Sequence, residues 1–395
     1  MDNSSGTSIP ILDLSWADNK DKRPLLLEQL RSALFDVGFL YIKNHGVNQE
    51  TISGLTDKLP PLFDLPASER AALSKTNSPH FLGYSGFAEE TTLGKQDLRE
   101  QFDYATELPV VYQDPTTPQA TGIKAHSTNH APDRDFTHLY WRLRGPNQYP
   151  SESSLPGFKA ALTAYHDAIA ELSYRFVHLI EEAFAIPIGT FDHFFGRESS
   201  SSQLNSTART NPRSFLPPQH RIKLLKYPPA PLSSQGGQGV GAHKDSSGWL
   251  TFLLQVGNEP GLEVLSSTNE WLPATPIEGT FVVNFGNAFE AATSGAVKAT
   301  THRVIAPGSE SATRYSIPFF QGLPLNMTVS EVMGYIPESV RRMRREKDGG
   351  EGLSDAFLDP RWDSLGESQL RKWIRSHRDV GEKWYGGEVV EYYTS

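Results

Sequence analysis

The stretch GAHKDSSGWLTFLLQ, residues 241–255, joins a strand pattern to a pair of ionisable side chains. From Leu250 to Leu254 apolar residues stand at every second position, which is typical of a strand with one buried face. Just before it, His243 and Asp245 are two residues apart. If both belong to an extended segment they point to the same side. The stretch therefore predicts a strand whose first end carries two potential metal ligands.

Around this stretch the sequence predicts a mainly β region with helices on either side. Six short segments with strand character follow one another from residue 221, separated by Gly, Pro, Ser and Asn turns, as in a sandwich or small barrel. They are RIKLLKY, WLTFLLQV, GLEVLS, TFVVNFG, THRVIA and RYSIPFF.

The flanking regions have helical periodicity or little periodicity at all. Residues 9–47 read as strand, helix, strand, with Gly38 ending the helix. Apolar residues spaced by three and four predict a long helix before Pro187. Helical patterns return after residue 322. Residues 76–155 are predicted to be loops with short elements, and a connection of this length is expected to cover another part of the molecule.

Composition excludes several classes of site. The chain has 395 residues, no cysteine and a net charge of −9. Disulfides, cysteine–zinc sites, iron–sulfur clusters and thiol catalysis are therefore excluded. The acidic balance argues against a nucleic-acid or anionic-membrane partner. With neither a long apolar run nor a signal-peptide pattern, a soluble cytoplasmic protein is expected.

A third metal ligand is available in KATTHRV. By itself, a His-x-Asp pair is more often a solvated surface patch. His302, however, opens a later strand, and the 57 residues that separate it from Asp245 leave room for three or four strands. Two histidines and one carboxylate on adjacent strands form the facial triad of non-haem Fe(II) enzymes. The other ten histidines are better explained by packing or surface placement.

RYSIPFF places Arg314 and Ser316 on one face of a strand. A buried arginine beside a hydroxyl binds a carboxylate through charge-assisted hydrogen bonds. The alternative is a surface arginine on an edge strand. The Arg-x-Ser motif by itself would favour that alternative.

Together these motifs resemble the iron(II)- and 2-oxoglutarate-dependent dioxygenases, in the branch that includes isopenicillin N synthase and the plant soluble dioxygenases. The resemblance runs almost end to end and is strong because the motifs occur in the family's order. The C-terminal segment also looks like the tail of fungal members. The matching segments are IPILDLS, GFLYIKNHGV, LLKYPPAP, GAHKDSSGWLTFLLQ, GLEVL, FVVNFGN, KATTHRV and RYSIPFF.

The resemblance implies a double-stranded β-helix, or jelly-roll, core with helices packed outside. It implies Fe(II) and 2-oxoglutarate as cofactors, O2 as co-substrate and a small organic molecule as substrate. It also implies roles for individual side chains. The implied Fe(II) ligands are His243, Asp245 and His302. The implied contacts of the distal carboxylate of 2-oxoglutarate are Arg314, Ser316 and Tyr227, and the resemblance places Phe320 in the substrate pocket.

Two motifs depart from the family pattern. Leu225 and Lys226 replace the first two residues of Asn-Tyr-Tyr-Pro, although Tyr227 is kept. Asn287 stands where an aspartate often follows the glycine of the NFG motif. The first departure weakens the assignment of the 2-oxoglutarate contacts, and neither affects the metal triad.

The expected organisation is one compact catalytic unit made of four segments. Residues 1–120 form the strand-helix-strand region with loops, 121–217 a helical support, 218–322 the jelly-roll core and 323–395 a C-terminal helical extension. Residues 76–155 and the C-terminal helices are the expected substrate lid.

Other functions stay open at this point. Isopenicillin N synthase carries the same Arg-x-Ser but binds a substrate carboxylate with it and uses no 2-oxoglutarate. YSGFAEETTLGKQDLRE resembles the corresponding stretch of the ethylene-forming enzyme. A more distant alternative is a non-catalytic jelly-roll binding protein. The substrate, the outcome (hydroxylation, desaturation or cyclisation), a place in secondary metabolism and the oligomeric state are not decided by sequence.

Overall fold

The computed structural model describes residues 8–92, 94–116, 135–197, 215–230, 237–246, 248–343, 360–362 and 364–395. In these ranges strands dominate the second half of the chain, and helices lie before and after them. The strands are β1 Ile11–Asp13, β2 Phe39–Lys43, β3 Gly83–Ser85, β4 Thr91–Thr92, β5 Lys95–Gln96, β6 Glu100–Ala105, β7 Arg221–Tyr227, β8 Gln238–His243, β9 Leu250–Val256, β10 Leu262–Leu265, β11 Trp271–Pro273, β12 Thr280–Phe285, β13 His302–Ile305 and β14 Arg314–Gln321.

Two sheets form the core of the fold. The larger has eight strands in the order β1-β2-β12-β9-β14-β7-β6-β3, and the smaller has four in the order β11-β10-β13-β8. All pairs are antiparallel except β1 with β2. A separate pair, β4 with β5, lies beside β8. This is the jelly-roll arrangement that the sequence predicts.

The α-helices surround this sandwich. The longest, α5, has 26 residues. They are α1 Arg23–Asp36, α2 Gln49–Thr56, α3 Leu59–Phe63, α4 Ala67–Ala72, α5 Phe158–Ala183, α6 Asn287–Ala292, α7 Val329–Met333, α8 Glu338–Arg341, α9 Leu365–Ser376, α10 Arg378–Tyr385 and α11 Gly387–Thr394.

Strict alternation along the central strands separates an outer face from an inner face. On β9, Leu250 and Phe252 join the large core that includes α1 and α5, and Phe252 meets Phe176 edge to face. Residues 251, 253 and 255 point the other way, between the sheets. An inner core, which includes Tyr227, Val264 and other residues of both sheets, fills part of that space. The remainder of the interior contains the candidate site.

The C-terminal helices form a third packed cluster. It includes Trp373 of α9, Val390 of α11 and Trp141, which lies in a 3₁₀ turn at residues 139–143. This cluster places α9 over the opening between the two sheets.

Three features differ from the sequence expectations. The helix α5 ends at Ala183, four residues before Pro187, because Ala185 takes a positive φ of 57°. The strand β6 is fully buried inside the region expected to form loops; its polar residues Glu100 and Asp103 obscured the strand pattern. The strand β8 was not recognised, because it contains two glycines and little apolar alternation.

In the described ranges no helix is long and apolar enough to cross a membrane.

Candidate active site

The three predicted metal ligands converge where β8 and β13 meet. His243 is the last residue of β8 and His302 the first of β13, and they are directly paired in the antiparallel register. Asp245 follows in the turn toward β9, so the pair does not share one strand as the sequence suggested. The reason is that the chain leaves the small sheet after His243 and enters the large sheet at Leu250. One nitrogen or oxygen from each of the three residues lies within 4.8 Å of the others.

Both imidazoles are held in the form that binds a metal. The Nδ1 of His243 lies 2.8 Å from the carbonyl oxygen of Gly241, and the Nδ1 of His302 lies 3.1 Å from that of Thr300. Because a carbonyl can only accept, each Nδ1 carries the proton and donates. Each Nε2 therefore presents a lone pair toward Asp245, at 3.9 and 3.8 Å from its Oδ1. Burial, followed by the proximity of His302, lowers the pKa of His243 to about 3.

Two inner-face residues orient the carboxylate. Thr251 Oγ1 and Asn284 Nδ2 donate to Asp245 Oδ2 at 2.6 and 2.7 Å, which leaves Oδ1 facing the histidines. Burial alone would raise the pKa of this carboxyl, but the attraction of His302 and His243 and these two hydrogen bonds lower it. Sequence reasoning missed Thr251 and Asn284, although the inner-face alternation of β9 and β12 was a signal for both.

A second cleft lies around Arg314 on β14. Its side chain is only 1% exposed, although it carries a charge. It donates to Gln255 at 3.1 Å and makes a longer contact of 3.4 Å with Ser316, while its Nε has no hydrogen-bond partner among the described residues. Tyr227, opposite Arg314 in the strand register, lies 5.0 Å below the guanidinium. No ion pair to Arg314 occurs in the part of the chain that the structure describes.

The sequence alternative for Arg314 is wrong. The strand β14 is not an edge strand, because it lies between β9 and β7. A fully buried guanidinium that lacks a carboxylate partner is costly unless an anion joins it. Burial also lowers its pKa from the ordinary value. The cleft is therefore suited to an anionic ligand.

One cavity of about 630 Å³ connects both clusters. The triad and Arg314 lie on its wall, together with Phe320 and, from α9, Trp373. Phe320 shares the inner face of β14 with Arg314 and pairs in register with Thr251, next to the triad. This volume is within the range of small-molecule sites.

The donor set fits a specific group of cofactors. Two neutral imidazoles and one carboxylate, arranged on one side of an open cavity, suit Fe(II) and leave further coordination positions free. The buried Arg314 guanidinium fits the distal carboxylate of a keto acid bound at the same metal. Fold and site together define the class of non-haem iron oxygenases with a jelly-roll core.

Comparison with known proteins gives the family. The N-terminal domain of the non-haem dioxygenases, described from morphine synthesis, matches residues 9–152, and the 2OG-Fe(II) oxygenase superfamily matches residues 218–322. The chain belongs to the 2OG-Fe(II) oxygenase superfamily. Enzymes of this family act on small-molecule substrates.

The relatives support the same conclusion along the whole chain. The 2-oxoglutarate-dependent dioxygenase frbJ of Dothideomycetidae sp. (strain 11243) is 39% identical over 95% of this chain and 92% of its own. A 2-oxoglutarate-dependent dioxygenase of Gibberella zeae is 29% identical over 97% and 92%. The fold is similar to that of Neurospora crassa T7H, solved with alpha-KG and thymine, with a TM-score of 0.65, 21% identity and coverage of 95% and 98%.

The protein is thus an oxidoreductase that uses Fe(II) and 2-oxoglutarate. The predicted dioxygenase function is confirmed. The isopenicillin-N-synthase-like oxidase and the non-catalytic binding protein gain no support from these comparisons.

Proposed function

We propose that His243, Asp245 and His302 hold the Fe(II) of this dioxygenase. The geometry that supports this is the direct pairing of His243 with His302 and the single carboxylate oxygen left facing them. Thr251 and Asn284 fix the Asp245 carboxylate, and the two backbone carbonyls fix the imidazoles. All three side chains line the cavity, so an iron ion held by them would be accessible to ligands in the cavity.

Arg314 is the proposed anchor for the distal carboxylate of 2-oxoglutarate. Ser316 offers a hydroxyl 3.4 Å from the guanidinium, and Tyr227 packs beneath it. The observation that carries this assignment is the buried arginine without a carboxylate partner among the described residues. Gln255 holds the guanidinium in place from the neighbouring strand, with its own amide donating to the carbonyl of Ala274.

The substrate is proposed to occupy the rest of the cavity, beside Phe320 and beneath Trp373. When bound, Fe(II) and 2-oxoglutarate supply the oxidising chemistry that activates O2 toward an unreactive C–H bond. The side chains of this protein position that bond and exclude water from it. The α9 helix, whose Trp373 lines the cavity, is the proposed cover.

Coarser properties are proposed on the same basis. The substrate is a small organic molecule, hydroxylated, desaturated or cyclised, with secondary metabolism as the setting that the fungal relatives suggest. We propose a cytoplasmic protein without a nucleic-acid or membrane partner, since the net charge is −9. The four-segment organisation, with the core at residues 218–322, remains part of this proposal.

The test is an anaerobic titration of the Fe(II)-loaded protein with 2-oxoglutarate, followed by its visible charge-transfer absorption. We expect a saturable band in the wild type. Arg314→Ala should lower the affinity for 2-oxoglutarate about 10- to 100-fold, as expected for the loss of hydrogen bonds to a charged group. Arg378→Ala, at an exposed ion pair on α10, is the control and should change nothing. A protein that binds iron but shows no band would refute the 2-oxoglutarate assignment.

A further inference from the structure

Lys372 of α9 is a cation without a carboxylate at ion-pair distance among the described residues. It lines the main cavity, and also a small adjoining pocket whose wall includes Asp245 and Phe320. Within the described ranges its ammonium has neither a hydrogen bond nor an ion pair. Its ammonium lies 4.9 Å from the ring of Trp373.

Three other cations near the cavity have carboxylate partners. Lys75 lies 2.8 Å from Asp103 and 3.0 Å from Glu90, and Arg99 lies 2.8 Å from Glu90. Lys223 lies 3.6 Å from Asp103. Both carboxylates are thus already paired with other cations. Lysines and arginines outnumber carboxylates seven to three on the cavity wall, although the chain as a whole is acidic.

Arg221 adds a second cation beside the same adjoining pocket. It is buried, stacks 4.4 Å from the Trp373 ring and lines the adjoining pocket. Its guanidinium donates to the backbone carbonyls of Phe81, His80 and Leu143 rather than to a carboxylate. Its donors are therefore occupied, but its charge adds to the positive potential that Lys372 presents.

The positively charged pocket at Lys372 and Arg221 is separate from the proposed 2-oxoglutarate cleft. Arg314 and Phe320 lie on one face of β14, six residues apart, which corresponds to about 20 Å along a strand. Lys372 belongs to the Phe320 end, because the adjoining pocket contains both residues but not Arg314.

We propose that Lys372 binds a carboxylate of the substrate, so that this dioxygenase selects small organic acids. The proposal rests on the proposed function, since it places the substrate in the part of the cavity beside Phe320 and Trp373. One free ammonium matches a single negative charge, which favours a carboxylate over a phosphate. The aromatic rings of Trp373 and Phe320 would contact the apolar body of the acid.

The chain supplies a matched control for this residue. Lys383 of α10 also precedes a tryptophan and lies 5.4 Å from its ring, but it is exposed to solvent. Lys372→Met removes the charge and keeps the length of the side chain, and Lys372→Arg retains the charge. Lys383→Met makes the same chemical change outside the cavity.

The experiment measures binding of acid and amide pairs to the anaerobic Fe(II)–2-oxoglutarate protein by saturation-transfer NMR and calorimetry. The probes are benzoate and benzamide, indole-3-acetate and indole-3-acetamide, and N-acetyl-L-leucine and N-acetyl-L-leucinamide. In the wild type and Lys383→Met we expect at least one acid to bind about 10-fold or more tightly than its amide. Lys372→Met should lose that preference and Lys372→Arg should keep it.

The charge-transfer band of the same samples distinguishes a failure of this proposal from a failure of the proposed function. Lys372→Met should keep the wild-type affinity for 2-oxoglutarate. A wild type that prefers no acid, a preference that survives in Lys372→Met, or a loss of 2-oxoglutarate affinity in that variant would each overturn the role of Lys372. Absence of the band in the wild type would instead overturn the proposed function.

Discussion

Asn284 on β12 donates a 2.7 Å hydrogen bond to Oδ2 of Asp245, the same oxygen that accepts from Thr251 at 2.6 Å. The two donors come from neighbouring strands of the large sheet, whereas His243 and His302 come from the small sheet. The candidate metal site therefore depends on the way the two sheets face each other. Its carboxylate is positioned by one sheet and its imidazoles by the other.

Removal of one of these donors should weaken metal binding. Thr251→Val deletes a hydroxyl with almost no change of shape, and we expect a 10- to 100-fold loss of Fe(II) affinity, the usual cost of losing a residue that orients a metal ligand. Anaerobic calorimetry with Fe(II) measures it.

Thr280→Val is the control for that change. Thr280 is equally buried and begins β12, but its hydroxyl donates to the carbonyl of Ile277, away from the site. Equal Fe(II) affinities for the two variants would show that Thr251 does not support Asp245.

Short local motifs explain which parts of the site were predictable. His243, Asp245 and His302 lie in two segments whose spacing reveals them, and Arg314 with Ser316 forms a third. The structure brings these five residues to one cavity, and their roles there stay predictions.

Apart from Thr251, the residues that sequence reasoning missed are those that depend on distant chain contacts. Asn284 reads as one polar residue in an apolar strand, and nothing near it indicates Asp245, 39 residues earlier. Lys372 lies in a helix whose direction over the barrel depends on the packing of Trp373 and Trp141. Charged residues of β6 concealed that strand because their ion-pair partners are also distant.

A close backbone contact near the metal site leads to a stability prediction. A Cβ added to Gly286 would lie 2.1 Å from the carbonyl oxygen of Gly248, which is too close for any side chain. The next amide, that of Asn287, donates to the carbonyl of Asp245 at 2.8 Å. Gly286→Ala should therefore push these segments apart and lower the free energy of unfolding by about 1–3 kcal/mol, as overpacking does.

Urea unfolding of Gly286→Ala and Gly248→Ala gives a matched test. A Cβ on Gly248 has no heavy atom within 4 Å, so this variant should stay within about 0.5 kcal/mol of the wild type. The Gly286 variant should also bind Fe(II) more weakly. If both variants unfold like the wild type, the contact is not tight in solution.

Acid should destabilise the protein through His220. This residue accepts from the amide of Gly322 through Nδ1 and bonds Tyr174 through Nε2 at 2.6 Å. Burial, with His166 nearby, lowers its pKa to about 3. The folded state therefore binds fewer protons than the unfolded state between pH 6.5 and 3. Stability from this residue is complete above pH 6.5 and falls by up to about 1.4 kcal/mol per pH unit below it.

The comparison is with His220→Asn, which keeps an acceptor for Gly322 but does not titrate. Unfolding free energies from pH 7.5 to 4.5 should fall less steeply in the variant, even if its stability at pH 7.5 is lower. If the unfolding free energies of both proteins fall in parallel with pH, His220 takes up its proton in the folded state as readily as in the unfolded state.

Alkaline pH should weaken the binding of acids if Lys372 is their partner. Burial, and then repulsion by Lys223 and Arg221, lowers the pKa of Lys372 to about 8, although Asp245 and Asp103 act in the opposite direction. Only the protonated ammonium attracts a carboxylate. The preference for an acid over its amide should therefore be constant below pH 7 and decline as the pH rises through about 8. In Lys372→Arg the guanidinium stays charged, so the preference should persist to pH 9.5. Calorimetric titrations of both proteins at several pH values measure this difference, and a decline of the same size in Lys372→Arg would assign it to another group.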